Sequence, residues 1–286
     1  MVTLNEGKVC DAVVRHLEVV ANVSRTDVRT RDRHSDPGKR VELTFRLGAE
    51  LVAVEHTGIE PFDGFMRLNA ESERHFEPIK AAASHAVPSG SLVELHVPVN
   101  AFRGRPPREV SEIQTALTKF IINTAPKLPE RRYKDHRYGD PIIIPGVPFT
   151  VRLYRFESMG ILPPIVVYHV AKDVETTRAE RLREACEKKF PKLARWKIED
   201  NARTILVLED NDIQLTSPAN VADAFVPIAR SRADAPDETY MIFTAAEPWY
   251  MWPMLIRGAS YFDLAKRGDS LHSEIDASSL NTITQR

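Results

Sequence analysis

VELTFRLGAELVAVEHT, Val41 to Thr57, is the most orderly stretch of the chain, and its reading decides the fold. Val41, Leu43, Phe45 and Leu47 alternate with Glu42, Thr44 and Arg46, the period-two pattern of a strand with one buried face. A second β-rich run, Leu51 to His56, follows Leu47-Gly48-Ala49-Glu50, where the glycine suits a tight turn, so the two runs form an antiparallel hairpin. In that hairpin Glu42 and Glu55 stand five residues from the turn on either side and meet at the open end. Ala53 and Glu55 share one face of the second strand, and Val54 and His56 share the other. Two converging carboxylates repel unless a cation lies between them, and an all-oxygen pair suits Mg²⁺ or Mn²⁺ rather than zinc.

Outward from the hairpin, strands alternate with helices. Val9, Val13, Leu17 and Val20 predict a helix from Lys8 to Ala21, and the polar segment from Ser24 to Arg40 reads as a loop or ragged edge strand. Beyond the hairpin come a helix from Met66 to Ala86, a strand over SLVELHVPV (Ser91 to Val99) and a helix from Glu109 to Asn123. The proline- and arginine-rich segment from Thr124 to Val147 reads as a linker or functional loop. After it come two strands, a helix from Thr176 to Phe190, the strand TILVLE, a helix from Pro218 to Ala229 and the strand TYMIFT, with a frayed tail from Arg267. The expected fold class is α/β, in two parts, 1–140 and 141–286.

The order helix, hairpin, helix, strand, with Glu18 on the leading helix, Glu42 in VELTF and Glu55-His56-Thr57 in VAVEHT, resembles the core of the PD-(D/E)xK phosphodiesterases, the restriction-endonuclease-like fold. AVEHTGIEPF is also similar to a phrase that recurs in uncharacterised bacterial proteins. The resemblance implies a divalent-metal-dependent nuclease in which Glu42 and Glu55 ligate Mg²⁺ (or Mn²⁺) and Glu18 supports the site. Where the family carries its water-activating lysine this chain has Thr57, which brings no positive charge to the reaction. His56 and, by preference, Lys80 from the following helix are the substitutes. The alternative is a catalytically inactive relative that binds nucleic acid or serves in an assembly. Singly, Glu42 reads as a solvated strand residue, Glu55 as an ion-pair partner for the arginines of 25–40, and His56 as a hydrogen-bonded core histidine.

Charge is nearly balanced, with 39 Lys and Arg against 40 Asp and Glu, so no global basic field points to a polyanion. Locally, Ala101 to Arg137 carries nine basic residues against four acidic ones. Arg103, Arg105, Arg131, Arg132 and Lys134, with Tyr133 and Tyr138 between them, are the expected nucleic-acid-binding set, DNA more than RNA. Residues 198–250 reverse the balance, ten acids against three arginines, and Glu209, Asp210 and Asp212 follow a buried-type strand. PWYMWP, Pro248 to Pro253, reads as core, a homodimer contact or a binding platform. Two distant cysteines form neither a disulfide framework nor a thiolate zinc site, and no segment has the length of a membrane span, so a cytoplasmic protein is expected. Walker A, GxGxxG, GxSxG and HExxH motifs are absent.

Overall fold

The computed structural model describes residues 5–30, 36–60, 65–131, 139–158, 163–170, 174–211, 217–268 and 271–283. The chain divides into two compact units: one is Gly64–Lys172, and the other joins Thr3–Asp63 to Asp173–Arg286. The first is thus inserted into the second, and the expected boundary at residue 140 falls inside the insert.

The discontinuous unit is built on one mixed sheet. Helix α1 (Glu6–Ala21) leads into β1 (Arg25–Thr30), β2 (Leu43–Leu47) and β3 (Glu50–Ile59). After the insert come α4 (Val174–Asp200), β9 (Arg203–Asp210), α5 (Pro218–Arg230), β10 (Glu238–Phe243), β11 (Trp249–Ile256), β12 (Ala259–Ser260), α6 (Tyr261–Arg267) and β13 (Ser273–Ile275). The strand order is β1-β2-β3-β9-β10-β11-β12, with β13 beside β11. β1, β2 and β3 are antiparallel neighbours, and β3, β9 and β10 run parallel. The 24–40 segment therefore contributes an edge strand, and 273–275, expected in a frayed tail, closes the other side of the sheet.

Three layers result. Val9, Val13 and Leu17 of α1 pack on Leu43, Val54 and Val207 from one face. Leu182, Phe190 and Leu193 of α4, with Phe225 of α5, cover Ala53, Leu206 and Leu208 on the other. β9 is buried along ILVLED because helices cover it on both sides, the situation in which a strand loses its polar alternation. Trp249 and Met251 of the aromatic cluster enter the α1-side core, the partly buried Trp252 packs on the α4 side, and Pro248 is exposed.

The inserted unit contains α2 (Phe65–Ala83), β4 (Ser91–Pro98), α3 (Pro107–Thr124), β5 (Glu130–Arg131), β6 (Ile142–Ile143), β7 (Thr150–Glu157) and β8 (Ile165–Val170). Its sheet runs β5-β7-β4-β8 with β6 beside β7, and α2 and α3 share one core with it through Phe76, Ile79, Leu95, Leu117 and Leu153. The helix and strand that follow the hairpin in sequence thus belong to this second sheet. The neighbour of β3 is β9, reached through α4.

Candidate functional site

The hairpin turns at Gly48, whose φ of 61° lies in the left-handed region that glycine adopts without strain. Leu47 faces Glu50 and the register continues to Leu43 opposite Val54, so Glu42, one residue before β2, comes beside Glu55. Glu55 shares the α4 side of the sheet with Ala53, and an ammonium of α4 comes within 3.9 Å of Glu42. Glu55 is fully buried and Glu42 is 9% exposed.

Helix α4 supplies the counter-charges. Its inward stripe runs Leu182, Cys186, Phe190, Leu193 and Trp196, and Lys189 occupies the stripe three residues after Cys186 and four before Leu193. The Lys189 ammonium donates to Glu55 Oε1 and stands 3.9 Å from Glu42 Oε1, so one cation serves both acids. Lys192 Nζ donates to the same Glu55 oxygen at 3.2 Å. Buried carboxylates of this kind are tolerable only with opposite charge at contact distance. Glu55 Oε2 is buried with no hydrogen-bond partner, an unfilled acceptor on an otherwise paired group.

The expected substitutes for the family lysine lie elsewhere. Lys80 belongs to the inserted unit, where its ammonium binds Glu73 at 2.7 Å and Glu77 at 3.1 Å. His56 points to the opposite side of the sheet from Glu55, as strand alternation requires, and its Nε2 is 2.9 Å from Glu209 Oε2. Glu209 also accepts from the Asn5 amide at 3.0 Å, Asn5 Nδ2 at 3.2 Å and Thr244 Oγ1 at 2.9 Å. Burial opposes ionisation of Glu209, but the His56 and Asn5 hydrogen bonds, the His56 charge and the Thr244 hydroxyl outweigh it and hold the carboxyl below the ordinary range. His56 is therefore a hydrogen-bonded core histidine and Glu209 its carboxylate partner.

Glu18 also stands apart from the pair. Its Oε1 accepts from the Arg25 amide at 2.7 Å and faces Arg25 Nε at 3.7 Å, fastening the end of α1 to β1. Burial, then the charges of Glu42, Glu6, Glu55 and Glu209, push the Cys10 thiol well above its usual range. Sequence reasoning missed Lys189 and Lys192. The signal for Lys189 was available, since a lysine on an apolar helical stripe needs a buried partner. Among the described residues no three His, Cys, Asp or Glu side chains converge as metal ligands. Two carboxylates with an open oxygen nonetheless fit a hard cation, because Mg²⁺ takes one or two protein carboxylates and fills its remaining positions with water and phosphate oxygens.

Of the expected nucleic-acid-binding set, Arg105 is engaged by Glu109 and by the Ala101 carbonyl at 2.8 Å, and the Arg131 guanidinium lies 4.9 Å over the Tyr154 ring. Arg103 is exposed with no ion pair among the described residues, while Arg132 and Lys134 lie outside those residues. No described helix is long and apolar enough to cross a membrane.

No family model matches the chain, and neither does any curated protein or solved structure.

Proposed function

We propose that the chain is a divalent-metal-dependent phosphodiesterase acting on nucleic acid, DNA in preference to RNA, with a restriction-endonuclease-like core interrupted by an inserted unit. The core would comprise α1, β1, β2, β3, α4 and β9, with the Gly64–Lys172 unit between β3 and α4. The observation that carries the reading is the carboxylate pair: Glu42 and Glu55 share the Lys189 ammonium, and Glu55 keeps one oxygen unpaired.

Glu42 and Glu55 would hold Mg²⁺ or Mn²⁺, which when bound polarises a phosphoryl oxygen and lowers the pKa of a coordinated water. Lys189 takes the role sought for Lys80. Once its contact with Glu55 is relinquished, its ammonium can orient the attacking water or face the charge that develops on phosphorus. Lys192, bound to the same carboxylate oxygen, keeps Glu55 compensated during that exchange.

The test is incubation with plasmid, linear DNA and RNA in Mg²⁺, Mn²⁺ or EDTA, beside folded Glu55→Gln and Lys189→Met variants. We expect metal-dependent cleavage that EDTA abolishes and that each substitution lowers about 100-fold or more. Cleavage that survives Glu55→Gln overturns the site. The second reading, an inactive relative that binds nucleic acid or joins an assembly, is favoured by the ammonium already seated against both carboxylates. Salt-sensitive DNA binding with no cleavage in either metal would establish it.

A further inference from the structure

The inserted unit contains a second polar pair, independent of the carboxylates. The buried stripe of α2 runs Ser72, Phe76, Ile79 and Ala83, so a serine occupies a position that helical spacing assigns to the core. On β8, Ile165, Val167 and His169 alternate toward the same core, which places the imidazole at the last inward position of the strand. The two meet: Ser72 Oγ is 2.6 Å from His169 Nε2, with both side chains more than nine-tenths buried.

The pair lines a cavity of about 280 Å³, with Glu71, His75, Phe102, Arg103 and Arg105 around it, all from the inserted unit. A serine–histidine pair that only stabilised the core would need no such space beside it. His169 Nδ1 is sealed from solvent and has no hydrogen-bond partner among the described residues. In the tautomer that carries the ring proton on Nδ1, Nε2 accepts from the Ser72 hydroxyl, the polarity that a nucleophile and its base require. Burial lowers the His169 pKa; the Pro98 carbonyl and the Glu73 charge act against this and Lys80 acts with it, and the net direction favours the neutral imidazole that a general base needs.

We infer that Ser72 and His169 are the nucleophile and base of an ester-hydrolysing site for small carboxylic esters that carry an anionic group. Ser72 Oγ attacks the ester carbonyl carbon as Nε2 takes its proton. The carbon–oxygen bond to the alcohol breaks, and the imidazolium returns that proton to the departing alcoholate. Water, giving its proton to Nε2, then adds to the acyl-serine; the ester bond to Oγ breaks, the proton passes to Oγ, and the carboxylic acid leaves. The anionic group is recognised by Arg103, an exposed cation with no ion pair among the described residues, while Phe102, stacked on His75 at 4.9 Å, forms an apolar wall. A cavity of about 280 Å³ lies below the usual range for drug-sized ligands, which restricts the substrate to a small molecule.

The full-length protein is treated with diisopropyl fluorophosphate and digested for mass spectrometry, and hydrolysis of p-nitrophenyl hydrogen succinate and p-nitrophenyl acetate is followed in parallel. The expected result is a diisopropylphosphoryl adduct on Ser72, absent from Ser72→Ala, and a fall in hydrolysis of about 100-fold or more in Ser72→Ala and His169→Gln. Arg103→Ala should raise KM for the succinate monoester about tenfold, and by a larger factor than it changes KM for the acetate. Ser72→Ala removes a single oxygen, and its thermal melt verifies folding, so the labelling result stands even where His169→Gln fails to fold. Wild-type protein without the adduct and without esterase activity, or hydrolysis retained in folded Ser72→Ala, overturns the inference.

Discussion

Glu209 illustrates how a single buried carboxylate is stabilised by what donates to it. His56, the Asn5 amide and the Thr244 hydroxyl all favour its ionised form, so its pKa in the folded protein lies below the value of about 4.3 that a glutamate has in an unfolded chain. A depressed carboxylate pKa contributes stability that is fully present above the unfolded value and is lost as pH falls through the folded one. Urea denaturation of wild type and Glu209→Gln should therefore differ most at neutral pH and converge as pH drops below about 4.3. A gap that widens on acidification would refute the assignment. Glu55 is paired differently, with the ammoniums of Lys189 and Lys192 on one of its oxygens.

Helix α4 connects the residue scale to the sheet. The periodicity predicts its end at about Phe190. The helix nevertheless continues to Asp200 with Pro191 inside it. Burial of Leu193 and Trp196, and a hydrogen bond from Trp196 Nε1 to the Lys39 carbonyl at 2.8 Å, offset the backbone bond lost at the proline. That extension carries Lys192, which lies beyond the predicted end of the helix. Phe190 itself is fully buried, meets Phe225 edge to face with ring centroids 6.4 Å apart, and has the Arg232 guanidinium 5.3 Å from its ring centre. Phe190→Ala should cost about 3–5 kcal/mol in denaturant unfolding, the range for truncating a buried aromatic side chain. A loss under about 1 kcal/mol would mean that α4 is not held on the sheet by this contact. The hairpin was legible for the opposite reason: its pairing is local, set by one turn and a period of two.

At the scale of the molecule, the inserted unit has its own sheet and its own core. Two compact units with separate cores are expected to unfold separately, so differential scanning calorimetry should resolve two transitions. Ile113→Ala, inside the core of the insert, should lower only one of them, and Phe225→Ala, in the discontinuous unit, only the other. One transition shifted by both substitutions would show that the units melt together.

The sequence by itself determined the α/β class, the hairpin, the approach of Glu42 to Glu55 and the turning of His56 to the opposite side, because each follows from local periodicity and a turn. It left open which strand pairs with β3, since a run buried on both faces, such as TILVL, records burial and names no neighbour. Tertiary structure decided that pairing, and with it what stands against the two acids: Lys189 and Lys192, 134 and 137 residues from Glu55 in sequence. The physical reason is that burying a carboxylate demands an opposite charge within a few ångströms, and only the packing of α4 on the sheet determines which cation comes that close.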